Sequence, residues 1–192
     1  TPGLRLNANV FWMEFTNELI KSGQVDVFGQ PRTGNAERTR HLGVELDGIV
    51  RLREWLTLSG NVTWSQNRLV RYRVANGSGW DVLDGNPIAG FPDLLGNVRL
   101  ACADERSTAG IAVKYVGAFY TDNLRDPGRR NEAFVVVNGD ATHALTLGGG
   151  VDLLLRLEVR NMLNRLYTSG GEGEAFFPAA ERNYLVGVTV RY

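Results

Sequence analysis

Trp55-Leu56-Thr57-Leu58-Ser59-Gly60-Asn61-Val62-Thr63-Trp64-Ser65 is the stretch that decides the fold class. Leu56, Leu58, Gly60, Val62 and Trp64 share one parity, and Thr57, Ser59, Asn61, Thr63 and Ser65 share the other. Successive side chains of an extended chain point to opposite faces, so this pattern predicts a strand with one apolar and one polar face. The same period of two runs through 40–52, where Leu42, Val44, Leu46, Gly48, Val50 and Leu52 oppose His41, Gly43, Glu45, Asp47 and Arg51. It returns in 107–120, 151–160 and 183–192, and more weakly in 4–15, 94–102 and 133–144. In 4–15 Phe11, Trp12 and Met13 are adjacent, which leaves the frame of that strand open.

These eight strands are long. An ordinary strand has about 5–6 residues, whereas one that crosses a bilayer at a tilt needs about 9–11. The links between them alternate. Segments 18–37, 66–90, 121–132 and 165–181 are long, and Arg53-Glu54, 103–106 and 145–150 are short. Outer-membrane barrels have that asymmetry, with short turns on the periplasmic side and long loops outside. The fold class expected is therefore all-β, an antiparallel transmembrane β-barrel. Alternation alone leaves open a long-stranded soluble sandwich or lipocalin-like barrel, in which the apolar face would point inward.

Aromatic residues at strand ends agree with a membrane wall. Trp12, Trp64, Phe119, Tyr120, Tyr184 and Tyr192 are expected at the lipid–water interfaces, where an amphipathic ring suits the headgroup boundary; Trp55 and Tyr167 lie at similar places. Ordinary strand propensity would also favour these residue types. Leu42, Val44, Leu46, Leu56, Leu58, Val62, Val113, Leu153, Leu155, Val186 and Val188 are expected to face lipid. The opposite face carries Glu45, Asp47, Asn61, Arg99, Lys114, Asp140, Arg156, Glu158 and Arg191.

Composition removes several function classes. The chain has 192 residues, 21 Lys+Arg and 21 Asp+Glu, for a formal net charge of zero. Nucleic-acid binding calls for a basic excess, so no nucleic-acid partner is expected. One cysteine and two histidines provide neither a disulfide framework nor a zinc spacing. No nucleophile elbow, P-loop or dinucleotide fingerprint occurs. Gly148-Gly149-Gly150 reads as a tight turn, and His41 and His143 as polar residues of the lumen or interface. Cys102 falls on the apolar face as a small inert residue. Glu172 and Glu174 could bind calcium, with a solvated loop as the plainer reading. The expectation is no enzyme, no cofactor and no metal.

Four segments, in order, resemble one family. Asn35-Ala36-Glu37-Arg38-Thr39-Arg40-His41-Leu42-Gly43-Val44-Glu45-Leu46 resembles a strand entry of the TonB-dependent outer-membrane receptors. Asp84-Gly85-Asn86-Pro87-Ile88-Ala89-Gly90-Phe91-Pro92 resembles one of their loop-to-strand entries. Val159-Arg160-Asn161-Met162-Leu163-Asn164-Arg165-Leu166-Tyr167 is similar to another of their segments, with Met162 for Leu and Asn164 for Asp. Pro178-Ala179-Ala180-Glu181-Arg182-Asn183 resembles the lead into their last strand, and Tyr192 the terminal aromatic of outer-membrane barrels.

The resemblance implies that residues 1–192 are the C-terminal portion of such a barrel, roughly the last eight of about 22 strands. Plug domain and TonB box are expected outside this chain, since it opens at Thr1-Pro2-Gly3 directly before a strand. The implied function is TonB-dependent active uptake of a scarce nutrient at the bacterial outer membrane, with an iron–siderophore complex as substrate. Outer-membrane lipid, lipopolysaccharide and, through the missing N-terminal region, the TonB complex are the implied partners. A passive porin or a small closed barrel is the alternative. Arg68, Arg71, Arg73 and Trp80 in one long loop, and Arg129 and Arg130 in the next, are the candidate ligand contacts. Clustered guanidinium groups suit an anionic chelate. The competing reading of the same arginines is solvation or contact with lipopolysaccharide.

Overall fold

The structure, a computed structural model, describes residues 3–28, 30–75 and 77–192. Its strands in chain order are β1 (Leu4–Val25), β2 (Pro31–Arg53), β3 (Leu56–Arg71), β4 (Arg73–Ala75), β5 (Trp80–Val82), β6 (Leu94–Ala103), β7 (Ser107–Val116), β8 (Phe119–Tyr120), β9 (Arg130–Asn131), β10 (Phe134–Gly148), β11 (Val151–Arg160), β12 (Thr168–Glu172), β13 (Ala175–Pro178) and β14 (Asn183–Arg191). Eight of them form one antiparallel sheet in the order β1-β2-β3-β6-β7-β10-β11-β14. The remaining six make three short hairpins inside the long links. The sheet is thus a meander in which every neighbour in space is the next long strand in sequence.

β1 and β14 lie at opposite ends of this sheet and do not pair with each other. A small closed eight-stranded barrel would join them, so the wall is open. It is also curled. Lys21 near the tip of β1 sits 3.4 Å from Glu172, which belongs to the link between β11 and β14. Only a curved sheet brings its two flanks that close at one rim.

Register places the two kinds of side chain on separate faces. Leu46 pairs with Val62, Val98 with Val113, Leu155 with Val188 and Leu157 with Val186, all across the outer face. Asp47 pairs with Asn61, Asn61 with Asn97 and Asn97 with Lys114 across the inner face. The residues expected to face lipid lie on the outer side, and none belongs to a buried cluster. The open frame of the first strand resolves with Trp12 pointing outward, 67 % exposed. Short links stay tight: Gly148, Gly149 and Gly150 all take the left-handed backbone that a β-branched residue would resist.

Two long links differ from expectation. Residues 18–37, read as a polar loop, continue β1 and β2 as a tall hairpin, and residues 66–71 continue β3. Alternation hides this because the parity flips. Asn17 adopts φ 56°, and the β2–β3 register slips between Arg38 and Thr39. Beyond Asn17 the even residues Ile20 and Ala36 turn inward and pack with Leu69, Tyr72, Leu83 and Ile88 in a small buried core. That core stands at the long-loop rim, above the wall.

Candidate functional site

The inner face of the wall is a ladder of polar pairs. Asn7 Nδ2 donates to Asp47 Oδ1 at 2.9 Å, Asn9 Nδ2 to Glu45 Oε2 at 3.1 Å and Asn97 Nδ2 to Asn61 Oδ1 at 2.9 Å. Arg99 reaches over Gly110 on β7 to grip Asp140 on β10 in a fork of 2.6 and 2.9 Å. A Cβ at 110 would lie 2.3 Å from the Arg99 guanidinium, so a side chain there would push this fork aside. Glu158 accepts from Arg160 at 2.6 Å and from Arg156 at 3.4 Å. Glu45, Asp47, Asn61, Arg99, Asp140, Arg156 and Glu158, singled out in the sequence, thus share the inner face.

Higher on the same face the wall closes around His41. Its Nδ1 is 2.7 Å from Asn67 Oδ1 and its Nε2 is 3.0 Å from Glu18 Oε2, while Asn67 donates to Ser65 Oγ at 2.9 Å and Thr39 donates to Glu18. Phe15 and Phe91 stand against the imidazole, each 5.5 Å between centroids. The network fastens β1, β2 and β3 where they leave the wall. Outside, Glu14 accepts hydrogen bonds from Arg38 and Arg40, which hold its carboxyl down at about 2. Arg40 also lies 5.0 Å over the Trp12 ring.

Above the wall the long links interlock. Asn123, 1 % exposed, donates to Lys21 O at 2.6 Å, accepts from Ala89 N at 2.9 Å and, through its carbonyl, accepts from Asn86 Nδ2 at 2.9 Å. Thr121 donates its hydroxyl to Gly173 O at 2.6 Å, and Gly173 N donates back to Thr121 O at 2.9 Å. One tripeptide, residues 121–123, therefore ties the β1 tip, the 84–90 segment and the β12–β13 hairpin together. Thr121, Asn123, Ala89 and Gly173 are buried, and their polar groups must be hydrogen-bonded to be tolerated there.

The family-like segments have local jobs in this canopy. Asn161 takes φ 52°, and its side chain accepts from Arg165 N and donates to Arg165 O and Ala180 O. Asn164, at φ 49°, accepts from Arg182 N. The two asparagines fold the start of the last long link back onto its end. Asp84 accepts from Tyr72 N, Leu69 N donates to Asn86 O and Ile88 N donates to Asn67 O, so the 84–90 segment continues the sheet beside β3.

The candidate arginines fall into two groups. Arg71 Nε lies 3.8 Å from Glu37, and Arg68 lies 3.9 Å from Asp93. Arg73 and Trp80 are exposed on the β4–β5 hairpin, Trp80 at 66 %. Arg129, by contrast, donates to Asp122 and Glu174 at 2.9 Å each, and the Asp122 carboxylate raises its already high pKa. Arg130 donates to Glu132 at 2.7 Å. The two glutamates considered for calcium meet protein cations, Glu172 near Lys21 and Glu174 at Arg129. Among the described residues no group of three His, Cys, Asp or Glu is arranged for a metal. Lys21, Thr121 and Glu172 were missed as joints, because nothing local to them announces a partner so distant in sequence.

The interfacial aromatics divide as well. Trp12, Trp64, Tyr184 and Tyr192 stand exposed on the outer side. Phe119 does not: it is 7 % exposed and packs inside with Val116, Phe134 and Val136. Tyr120 pairs with Arg130 in the β8–β9 hairpin, and Tyr167 lies on Phe134 at 4.5 Å. β7 ends at Val116, and the amide of Gly117 makes one last bond to Leu94 O at 2.8 Å, so the alternation of β7 no longer governs residue 119. Phe119 and Tyr167 thus floor a recess of about 480 Å³ beneath the canopy, with Lys114 and Arg160 at its sides.

Comparison with known proteins follows this geometry. Solved structures similar in fold include the siderophore receptor PiuA from Acinetobacter baumannii, with TM-score 0.73, 17 % identity and 98 % of this chain against 26 % of that one. The ferric yersiniabactin uptake receptor FyuA from Yersinia pestis gives 0.70 and 17 %, over 99 % and 27 % of the two chains. The copper transporter OprC gives 0.70 and 16 %, over 98 % and 29 %. The chain thus spans little more than a quarter of the length of these structures. No curated protein matches it in sequence. The family model described as TonB dependent receptor-like, beta-barrel matches residues 1–162, and the chain belongs to that family of outer-membrane receptor barrels.

Proposed function

We propose that the protein carrying this chain is a TonB-dependent transporter of the bacterial outer membrane that takes up an iron–siderophore complex. The observation that carries the reading is the canopy: links from both flanks of the wall interlock at one rim, over a polar inner face. A ligand arriving from outside meets that rim first. In this reading the long links are extracellular and the short turns periplasmic, while energy comes through contact with TonB made by parts of the protein outside this chain. The chain binds and admits a ligand and does not transform it.

Arg71, Arg73 and Trp80 are the ligand contacts favoured here, being exposed together near the β4–β5 hairpin, with Arg68 beside them. Arg129 and Arg130 are engaged with carboxylates, so a ligand would have to displace those partners. Replacing Arg71 and Arg73 by Ala in the full-length protein should weaken binding of a ferric siderophore by roughly tenfold per 1.4 kcal/mol lost. Membrane assembly should be unchanged. The same exchange at Arg129 and Arg130 should loosen the canopy as well as the ligand. Unchanged affinity in both double variants would move the site away from this chain. Growth under iron limitation, with and without the intact gene, tests the substrate: equal growth would exclude iron.

A further inference from the structure

The outer face carries a depression that the uptake function does not use. Cys102, Ala109, Ala141 and Gly139 form its floor on β6, β7 and β10. Leu56 and Trp55 wall it on the β3 side, and Leu157 and Val159 on the β11 side. Met162 closes the top, with its Sδ 2.9 Å from where a Cβ on Gly139 would stand. The groove has a volume of about 420 Å³. From the Leu56 wall to the Leu157 wall is four inter-strand steps, about 19 Å at the usual spacing of about 4.8 Å. Strands of such barrels are tilted by about 45°, so a groove that crosses them is itself inclined and descends into the bilayer. No side chain of the described residues fills it. A dry void in hydrocarbon forfeits dispersion contacts on every lining atom.

Polar groups flank the groove on its short-turn side, beyond its apolar lining. Two residues down β7 and β10 from Ala109 and Ala141 stand Ser107 and His143, a directly paired couple with Oγ and Nδ1 3.0 Å apart. They lie at the short-turn rim, where Asp104 accepts from Arg106 N and Ser107 N at 2.8 and 2.7 Å. The turn itself presents Asp104, Glu105 and Arg106, all exposed. Acid and base side by side match a headgroup that carries both signs better than a purely anionic one.

Resting on the membrane reading above, we propose that this groove is a binding site for one phospholipid of the periplasmic leaflet. Its acyl chain lies on the Cys102–Ala109–Ala141 floor. Its phosphate faces His143 and Arg106, and a primary ammonium faces Asp104 and Glu105. The site is separate from the lumen and from the canopy, and its occupant is structural lipid rather than cargo.

The test uses the full-length protein, extracted in detergent and titrated with dioleoylphosphatidylethanolamine, with retained lipid counted by native mass spectrometry. One lipid per protein should survive on the parent. Ala141→Phe, which fills the floor, should retain at least tenfold less, and Val188→Phe, on the same face outside the groove, should retain as much as the parent. Cys102→Leu serves as a second filling variant, with heat-modifiable gel mobility to show that each variant has folded. Equal retention by the parent and a folded filling variant would overturn the site. So would equal retention of dioleoylphosphatidylglycerol, or a dimer formed in place of the lipid. A parent protein that stays in the aqueous fraction would instead defeat the membrane reading, and this inference with it.

Discussion

In the wall, residues 56–64 pair with 94–102 without a break, each partner fixed by the one before it. At the rim, Asn123 finds its partner 102 positions away, on Lys21. The wall is held by a repeating local rule and the canopy by a few singular contacts. A wall between two solvents must show its alternation in the sequence. A canopy in water on both sides needs no periodicity, only enough buried hydrogen bonds to outweigh the entropy of ordering its loops.

This difference makes the wall the more sensitive region to charge. Val98→Arg or Val113→Arg, mid-strand on the outer face, should cost roughly 2–4 kcal/mol in a bilayer, and Tyr184→Arg near the strand end much less. Unfolding of the full-length protein from phospholipid vesicles by denaturant measures this. Equal costs at both depths would break the distinction between the wall's middle and its rim.

The canopy should instead respond to loss of a single joint. Asn123→Ala removes two side-chain hydrogen bonds, the one given to Lys21 O and the one accepted from Ala89 N, and should cost about 1–3 kcal/mol of local stability. Amide exchange should rise together in 84–90, at the β1 tip and around 121–131, while β6, β7 and β10 keep their protection. Exchange confined to 121–131 would show that the links do not act as one unit.

A smaller effect should appear at the boundary between the two regions. Glu14 is held at about 2 by Arg38 and Arg40, below its ordinary 4.5. A depressed carboxylate contributes stability above its unfolded pKa and loses it as pH falls through the folded one. The β1–β2 hairpin should therefore weaken between about pH 4.5 and pH 2. Glu14→Gln should remove that dependence, as read by amide exchange of residues 12–20. A hairpin whose exchange keeps the same acid dependence in the variant would refute the assignment to Glu14.

What the sequence made legible follows the same division. Strand pairing order, the two faces, the three tight turns and the ionic lumen groups could all be read, because the contrast between lipid and water writes them at every second residue. The β1–β2 extension could not, since the left-handed Asn17 and the β2–β3 bulge reverse parity just where the strand leaves the wall. Alternation through 107–120 puts Phe119 in the aromatic belt, but β7 ends at Val116 and Phe119 packs inside with Val116, Phe134 and Val136. Clustered arginines could be seen, but not that Arg129 already holds Asp122 and Glu174.

The central claim is that the apolar face of this wall meets lipid. Nitroxide labels placed singly at residues 56–64 of the full-length protein in bilayers would test it most directly, by oxygen accessibility. Oxygen concentrates in hydrocarbon, so Leu56, Leu58, Gly60, Val62 and Trp64 should show maxima and Thr57, Ser59, Asn61 and Thr63 minima. Minima at the even positions, as in a packed protein interior, or no alternation at all, would contradict the account.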